Sequence, residues 1–178
     1  MTVPRPACVL NHAVLVGYGR VGSLVAETLE QAGQPYLVIE ERQEVVEELR
    51  TRKIEVIAGN AAQPGLLEAA NVGSARWLIS AIPNPFESGT LIEHAHAANS
   101  TLEIIARAHS DAEVDYLEKL GASLIIMGER EIARGLSEHI LSRTDAATAP
   151  VHTEHQNVPD SIEAKPMTGL SAPTGTGQ

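Results

Sequence analysis

The sequence predicts an α/β fold: a Rossmann-like, doubly wound parallel sheet of six strands, with a C-terminal crossover helix and a disordered tail. Three observations predict it. From His12 to Arg143, short aliphatic runs alternate with amphipathic stretches at helical spacing. The runs are apolar on both faces, as strands of a parallel sheet covered by helices must be. Gly17-Tyr18-Gly19-Arg20-Val21-Gly22 lies between the first run and the first amphipathic stretch. A glycine turn in that place opens a nucleotide-binding βα unit.

The elements follow in order. His12–Val16 reads as a buried strand. Val21–Ala32 reads as a helix with Leu24, Val25, Thr28 and Leu29 on one side, closed by Gly33 as its C-terminal cap. Pro35–Glu40 is the second strand, and Gln43–Arg52 a helix carrying Val45, Val46 and Leu49. Ile54–Ala58 is the third strand and Gln63–Ala70 a short helix. Arg76–Ile82 is the fourth strand, Phe86–Asn99 a helix, and Leu102–Ala108 the fifth strand. Asp111 is expected to cap the helix ending at Leu120. Ala122–Met127 is the sixth strand and Arg130–Arg143 the closing helix. Right-handed crossovers between such strands lead to a doubly wound sheet.

Composition bounds the function. The chain has 178 residues, 13 basic against 23 acidic, five aromatics and one cysteine. A net charge of −10 excludes a polyphosphate-binding surface of the kind nucleic acids need. Cys8 alone makes no internal disulfide, so nothing points to an oxidising compartment. No apolar run approaches the roughly 18 residues of a membrane helix, and the N-terminus lacks a signal-peptide centre. A soluble, cytoplasmic protein is expected. Three segments are expected: an irregular N-terminus over 1–11, a nucleotide-binding domain over 12–143, and a tail over 144–178. The tail holds six Thr, five Ala, four Pro, three Gly and two Ser, too little apolar surface to offset its ordering entropy. His152 and His155, with no Cys or further His nearby, read as part of a solvated tail.

Each glycine of the turn has a reason. Gly17 permits the tight turn, Gly19 lets backbone approach a pyrophosphate, and Gly22 lets the helix pack closely. The helix N-terminus offers N–H groups and a positive dipole end to an anion. Glu40 ends the second strand, 18 residues past Gly22, where a carboxylate accepts from ribose hydroxyls. A carboxylate there disfavours a 2′-phosphate, so NAD(H) or an adenine nucleotide is preferred over NADP(H). Arg42 could soften that preference but reads as a solvated helix-start arginine. Arg20 reaches phosphate oxygens or is exposed. Ligands of open α/β sheets sit beyond the carboxyl ends of the strands, which brings in Asn60 and Ala61, Pro83 and Asn84, Arg107, His109 and Glu129. Asn60 could meet an adenine edge. Arg107 either contacts a ligand or makes a structural ion pair. The candidate binding set is Gly17, Tyr18, Gly19, Arg20, Val21, Gly22, Glu40, Glu41, Asn60, Ala61, Ile82, Pro83 and Arg107.

No catalytic set emerges. Tyr116 and Lys119 are three apart, not the four of a short-chain dehydrogenase pair. His94 and His96 point to different helix faces and read as surface residues rather than metal ligands. No metal is expected. No substrate domain follows the sheet, which suggests that the nucleotide is a signal rather than a reagent. In the closing helix, Ile132, Leu136 and Ile140 recur at i, i+4, i+8 beside Ala133 and Leu141. That stripe packs on its own sheet or crosses to a second copy of the domain.

Together, His12–Ser23, Val38-Ile39-Glu40, Gly59-Asn60-Ala61-Ala62, Ile104–Ala108 and Met127–Ala133 resemble the RCK N-terminal domain, also called KTN or TrkA-N. The resemblance is nearest to the cytoplasmic domain of YbaL/Kef-type potassium/proton antiporters of the cation:proton antiporter-2 family, over about residues 10–141. It implies a non-enzymatic regulatory module that binds NAD(H) or AMP, ADP or ATP and controls potassium flux through a membrane potassium transporter or antiporter at the cytoplasmic face of the inner membrane. It also implies a homodimer through Ile132–Ile140. Gly17, Gly19, Arg20 and Gly22 would hold phosphates and Glu40 the ribose, with Asn60 in place of the family's common Asp. In Kef-type members an arginine at the Arg107 position lies near the glutathione-adduct site, and His109 stands where they commonly carry a second arginine, which argues against glutathione gating. Such members carry transmembrane helices upstream, so a detached subunit or a fragment is expected. The alternatives are a small NAD-dependent oxidoreductase and a dimerisation scaffold that binds no nucleotide.

Overall fold

Six aliphatic segments pair as one parallel sheet in a computed structural model. It describes residues 10–63 and 65–147, of which 144–147 by backbone alone. The expected irregular N-terminus up to residue 9, with Cys8, and the tail from residue 148, with His152 and His155, lie outside the described residues. The order along the chain is β1 (Ala13–Val16), α1 (Arg20–Gln31), β2 (Tyr36–Glu40), α2 (Gln43–Thr51), β3 (Val56–Ala58), α3 (Leu66–Ala69), β4 (Trp77–Ser80), α4 (Pro85–Ala98), β5 (Glu103–Ala108), α5 (Asp111–Lys119), β6 (Leu124–Met127) and α6 (Gly128–Ala147).

Across the sheet the strands run β3-β2-β1-β4-β5-β6, all parallel. The chain winds outward from β1 to β3, then returns to β4 on the other side of β1. The order reverses between β1 and β4, which pair from Ala13 with Trp77 to Val16 with Ser80. Loops leaving these two strands diverge and open a crevice at their carboxyl ends.

Alternation along β1 supplies both faces of the core. Val14 and Val16 join Leu37, Ile39, Leu78, Leu91, Ile92, Ile104 and Leu117 on one face. Leu15 joins Val38, Ala26, Leu49 and Tyr18 on the other. Ser80 and Ser88 are buried and share a hydrogen bond of 2.8 Å between their hydroxyls, pinning α4 to β4.

Several elements differ from expectation for local reasons. The third helix starts at Leu66 rather than Gln63, because Gly65 before it takes a left-handed conformation at φ 87°; a 3-10 turn at Val72–Ser74 follows Asn71, also left-handed at φ 52°. Pro85 occupies the first turn of α4, and Asn84 caps it by accepting from the N–H groups of Phe86 and Glu87. Ser110, not Asp111, caps α5, accepting from the Glu113 N–H. On α1 the inner face is Gly22, Val25, Ala26 and Leu29, while Leu24 and Thr28 face solvent. His96 is not a plain surface residue: its Nε2 meets the Gly121 carbonyl at 3.1 Å. Every residue of α6 from Gly128 to Arg143 is exposed, so its apolar stripe does not pack on its own sheet.

Leu78 is completely buried in the middle of the sheet. Leu78→Ala is expected to cost about 2–5 kcal/mol. Urea unfolding followed by circular dichroism checks this, as a lower midpoint at unchanged slope.

Candidate functional site

The crevice between β1 and β4 opens into a cleft of about 840 Å³, within the range of small-ligand sites. Its floor is the glycine turn. Gly17 has φ +89°, which L side chains rarely adopt, and a Cβ on Gly22 would lie 2.0 Å from the Gly17 carbonyl oxygen. Those two glycines are required by the protein's own backbone. Gly19 is different: a Cβ there would meet no protein atom within 4 Å. The turn does not need glycine there for packing, and the space beside Gly19 belongs to the cleft. Gly19 is also the N-cap of α1, where no side chain caps the helix and the first turn carries no acid. The N–H groups and positive dipole end of α1 thus form a place chemically suited to an anion.

Glu40, at the end of β2, is only 5% exposed. One carboxylate oxygen accepts from the Tyr18 N–H at 2.7 Å. The other accepts from the Arg42 N–H at 2.9 Å and from Arg42 Nε at 3.1 Å. Arg42 Nη2 also donates to the Tyr18 carbonyl at 3.1 Å. The pair thus clamps both polar groups of Tyr18 and fixes the turn. Burial pushes the Glu40 carboxyl upward in pKa, but the Arg42 side chain and the backbone N–H groups of Arg42 and Tyr18 outweigh it and hold it below its ordinary value. Arg42 is exposed at the start of α2, as expected, but it is also paired with Glu40. It neutralises Glu40 and lines the cleft, so repulsion of a 2′-phosphate by Glu40 is weaker than the sequence suggests.

All the expected binding residues line the cleft except Tyr18 and Gly22. Tyr18 is buried and its hydroxyl accepts from Arg52 at 2.7 Å, so its side chain serves the core. Gly22 acts through packing alone. The Asn60 side-chain oxygen accepts from the Ala62 N–H at 2.9 Å, which leaves its amide as a donor. Of the two alternatives for Arg107, ligand contact or a structural ion pair, no ion pair is present among the described residues. Its guanidinium donates to His109 Nε2 at 3.0 Å, and both residues line the cleft. Leu24 and Glu87 also line it, and the sequence reading missed their role there. Leu24 had been placed on the packing face, and Glu87 sits in the first turn of a helix whose start was read one residue late. Tyr116 packs against the Phe86 ring at 5.9 Å and is not among the lining residues. Among the described residues no group of three or more His, Cys, Asp or Glu could hold a metal, and no helix is long and apolar enough to cross a membrane.

Residues 13–128 match the TrkA-N domain. Over 133 residues the chain is 48% identical to the candidate cation/proton antiporter YbaL of Escherichia coli K12, covering 75% of this chain and 24% of that protein. The crystal structure of the TrkA-N domain of inner membrane protein YbaL superposes with a TM-score of 0.73 at 47% identity, over 75% of this chain and 99% of that one. The Kef C-terminal domain of Shewanella denitrificans in its AMP-bound form gives a TM-score of 0.65 at 27% identity, over 75% of this chain and 81% of that one. Potassium channel protein 1 of Methanocaldococcus jannaschii is 30% identical over 130 residues, 70% of this chain and 39% of that protein. The chain thus spans about a quarter to two fifths of the full-length relatives it matches.

Because Glu40 carries a depressed pKa, its contribution to stability is present above the ordinary glutamate range and is lost as pH falls through the folded value. Glu40→Gln places an amide against the Arg42 donors and is expected to lower the melting temperature at pH 7. The gap from wild type should close as the pH falls below about 4. Thermal melts across pH 3–8 check this; a gap independent of pH would exclude the clamp as its source.

Proposed function

Because the chain belongs to the TrkA-N domain family, we propose that it is a nucleotide-binding regulatory domain controlling potassium transport or potassium/proton antiport. The observation that carries this reading is Gly19: a glycine without a packing reason, at the uncapped start of α1, lining a cleft large enough for a nucleotide. The cleft takes NAD(H) or an adenine nucleotide, with phosphates on the α1 N-terminus and Arg20, ribose beside Glu40 and Glu41, and the base between Asn60, Ala61, Ile82 and Pro83. The AMP-bound Kef domain supports this choice of ligand.

The nucleotide acts as a signal, and the domain is not an enzyme. It works at the cytoplasmic face of a membrane, attached to or docked on a potassium transporter or antiporter. The stripe of Ile132, Leu136, Ile140 and Leu141 supports a homodimer, since each is at least 60% exposed on α6. A second copy would cover that stripe. Nucleotide binding then biases the arrangement of two protomers, and that arrangement biases the transporter.

Thermal shift against NAD, NADH, AMP, ADP and ATP is expected to raise the melting temperature by at least about 2 °C for one of them at millimolar concentration. No shift with any of the five contradicts the reading. Leu136→Lys is expected to convert a dimer to a monomer in sedimentation velocity without lowering the melting temperature of the monomer. An unchanged sedimentation coefficient contradicts the α6 interface.

A further inference from the structure

The rim of the cleft at the end of β5 carries a proton-sensitive contact. Arg107 at the end of β5 donates from Nη2 to His109 Nε2 at 3.0 Å. A guanidinium has no acceptor, so this contact requires a ring nitrogen with a free lone pair. The proton of the neutral ring then sits on Nδ1, which faces Glu129 Oε1 at 3.7 Å. Glu129 lies in the first turn of α6. Other charged groups surround the ring from each neighbouring element. Glu113 of α5 takes the His109 backbone N–H at 2.7 Å. Asp111 of α5 is paired with Arg130 of α6. Glu87 of α4 lines the same cleft. Glu129 is the carboxylate that the ring itself can reach.

A histidine changes charge between about pH 5 and 8. Once both ring nitrogens carry protons, Nε2 can no longer accept, and two cations face each other at hydrogen-bond distance. Arg107 must swing away, and the side open to it is the cleft it already lines.

We propose that His109 makes the anion affinity of the cleft depend on protonation: neutral, it holds Arg107; protonated, it pairs with Glu129 and frees Arg107 for the ligand's phosphates. The inference rests on the nucleotide reading above and adds to it a proton that binds together with the nucleotide. Each acts on the other reciprocally. The same event draws the rim of the cleft toward the first turn of α6.

The test compares wild type with His109→Gln, whose amide oxygen accepts from Arg107 at every pH and so fixes the neutral arrangement. Dissociation constants for NAD and for AMP are measured by calorimetry at pH 8 and pH 6. Taking the ratio of variant to wild type at each pH cancels the titration of the ligand's own phosphate. The ratio is expected to rise about three- to ten-fold from pH 8 to pH 6, the size of one added charge at a solvated contact. His109→Arg, which cannot accept from Arg107 at any pH, should bind tightly at both. A ratio that stays flat for the ligand that binds overturns the inference and leaves the nucleotide reading standing. Binding of neither ligand at either pH overturns that reading, and the inference with it.

Discussion

A carboxylate that has left water must be matched by donors, and Glu40 is matched by the very backbone it organises. Its two oxygens take the N–H of Tyr18 in the glycine turn and the N–H and guanidinium of Arg42 at the start of α2. Arg42 closes the circuit on the Tyr18 carbonyl. The turn after β1 is thereby tied to the end of β2, and its path is set before any ligand arrives. Glu40 is the buried member of the pair, and removing Arg42 would leave its charge to the backbone donors alone, so the end of β2, the glycine turn and the start of α2 depend on one another.

What the clamp leaves open matters as much as what it holds. With Tyr18 turned into the core, Gly19, Arg20 and Val21 at the start of α1 line the floor of the cleft. Glu40 is neutralised locally by Arg42, which removes its repulsion from the anion site proposed at the backbone and Arg20. The cleft also reaches Arg107 and His109 after β5. His109 in turn faces Glu129 in the first turn of α6, the helix whose apolar stripe faces outward. In a domain whose relatives include transporter and channel proteins, that arrangement suits a sensor whose ligand is not transformed.

Most of the fold was legible because both periods were clean. Strands aliphatic on both faces and helices with one stripe leave few topologies once crossovers are right-handed. The glycine spacing and Glu40 located the cleft, because the strand-end rule needs only strand boundaries. Pattern alone could not read side-chain partners. Arg42 looked merely solvated since nothing in a sequence distance of two residues tells whether a guanidinium folds back. Tyr18 looked like a lining residue because its backbone belongs to the turn while its ring belongs to the core. Ser110 and Asp111 are equally suited by type to cap α5, and backbone conformation decides for Ser110. The fate of the α6 stripe was open in the residues, since one apolar face serves an intramolecular or an intermolecular contact equally well.

The central claim is that the glycine turn and the ends of β2 and β3 hold one nucleotide. Backbone amide spectra of the ¹⁵N-labelled protein, recorded during an AMP titration, test it most directly. The account predicts saturable shifts concentrated at Gly19 to Gly22, at Glu40 and Glu41, and at Asn60 and Ala61, with the strand interiors unmoved. Saturable shifts that cluster elsewhere, or spectra that do not change at millimolar AMP, NAD or ADP, would contradict it.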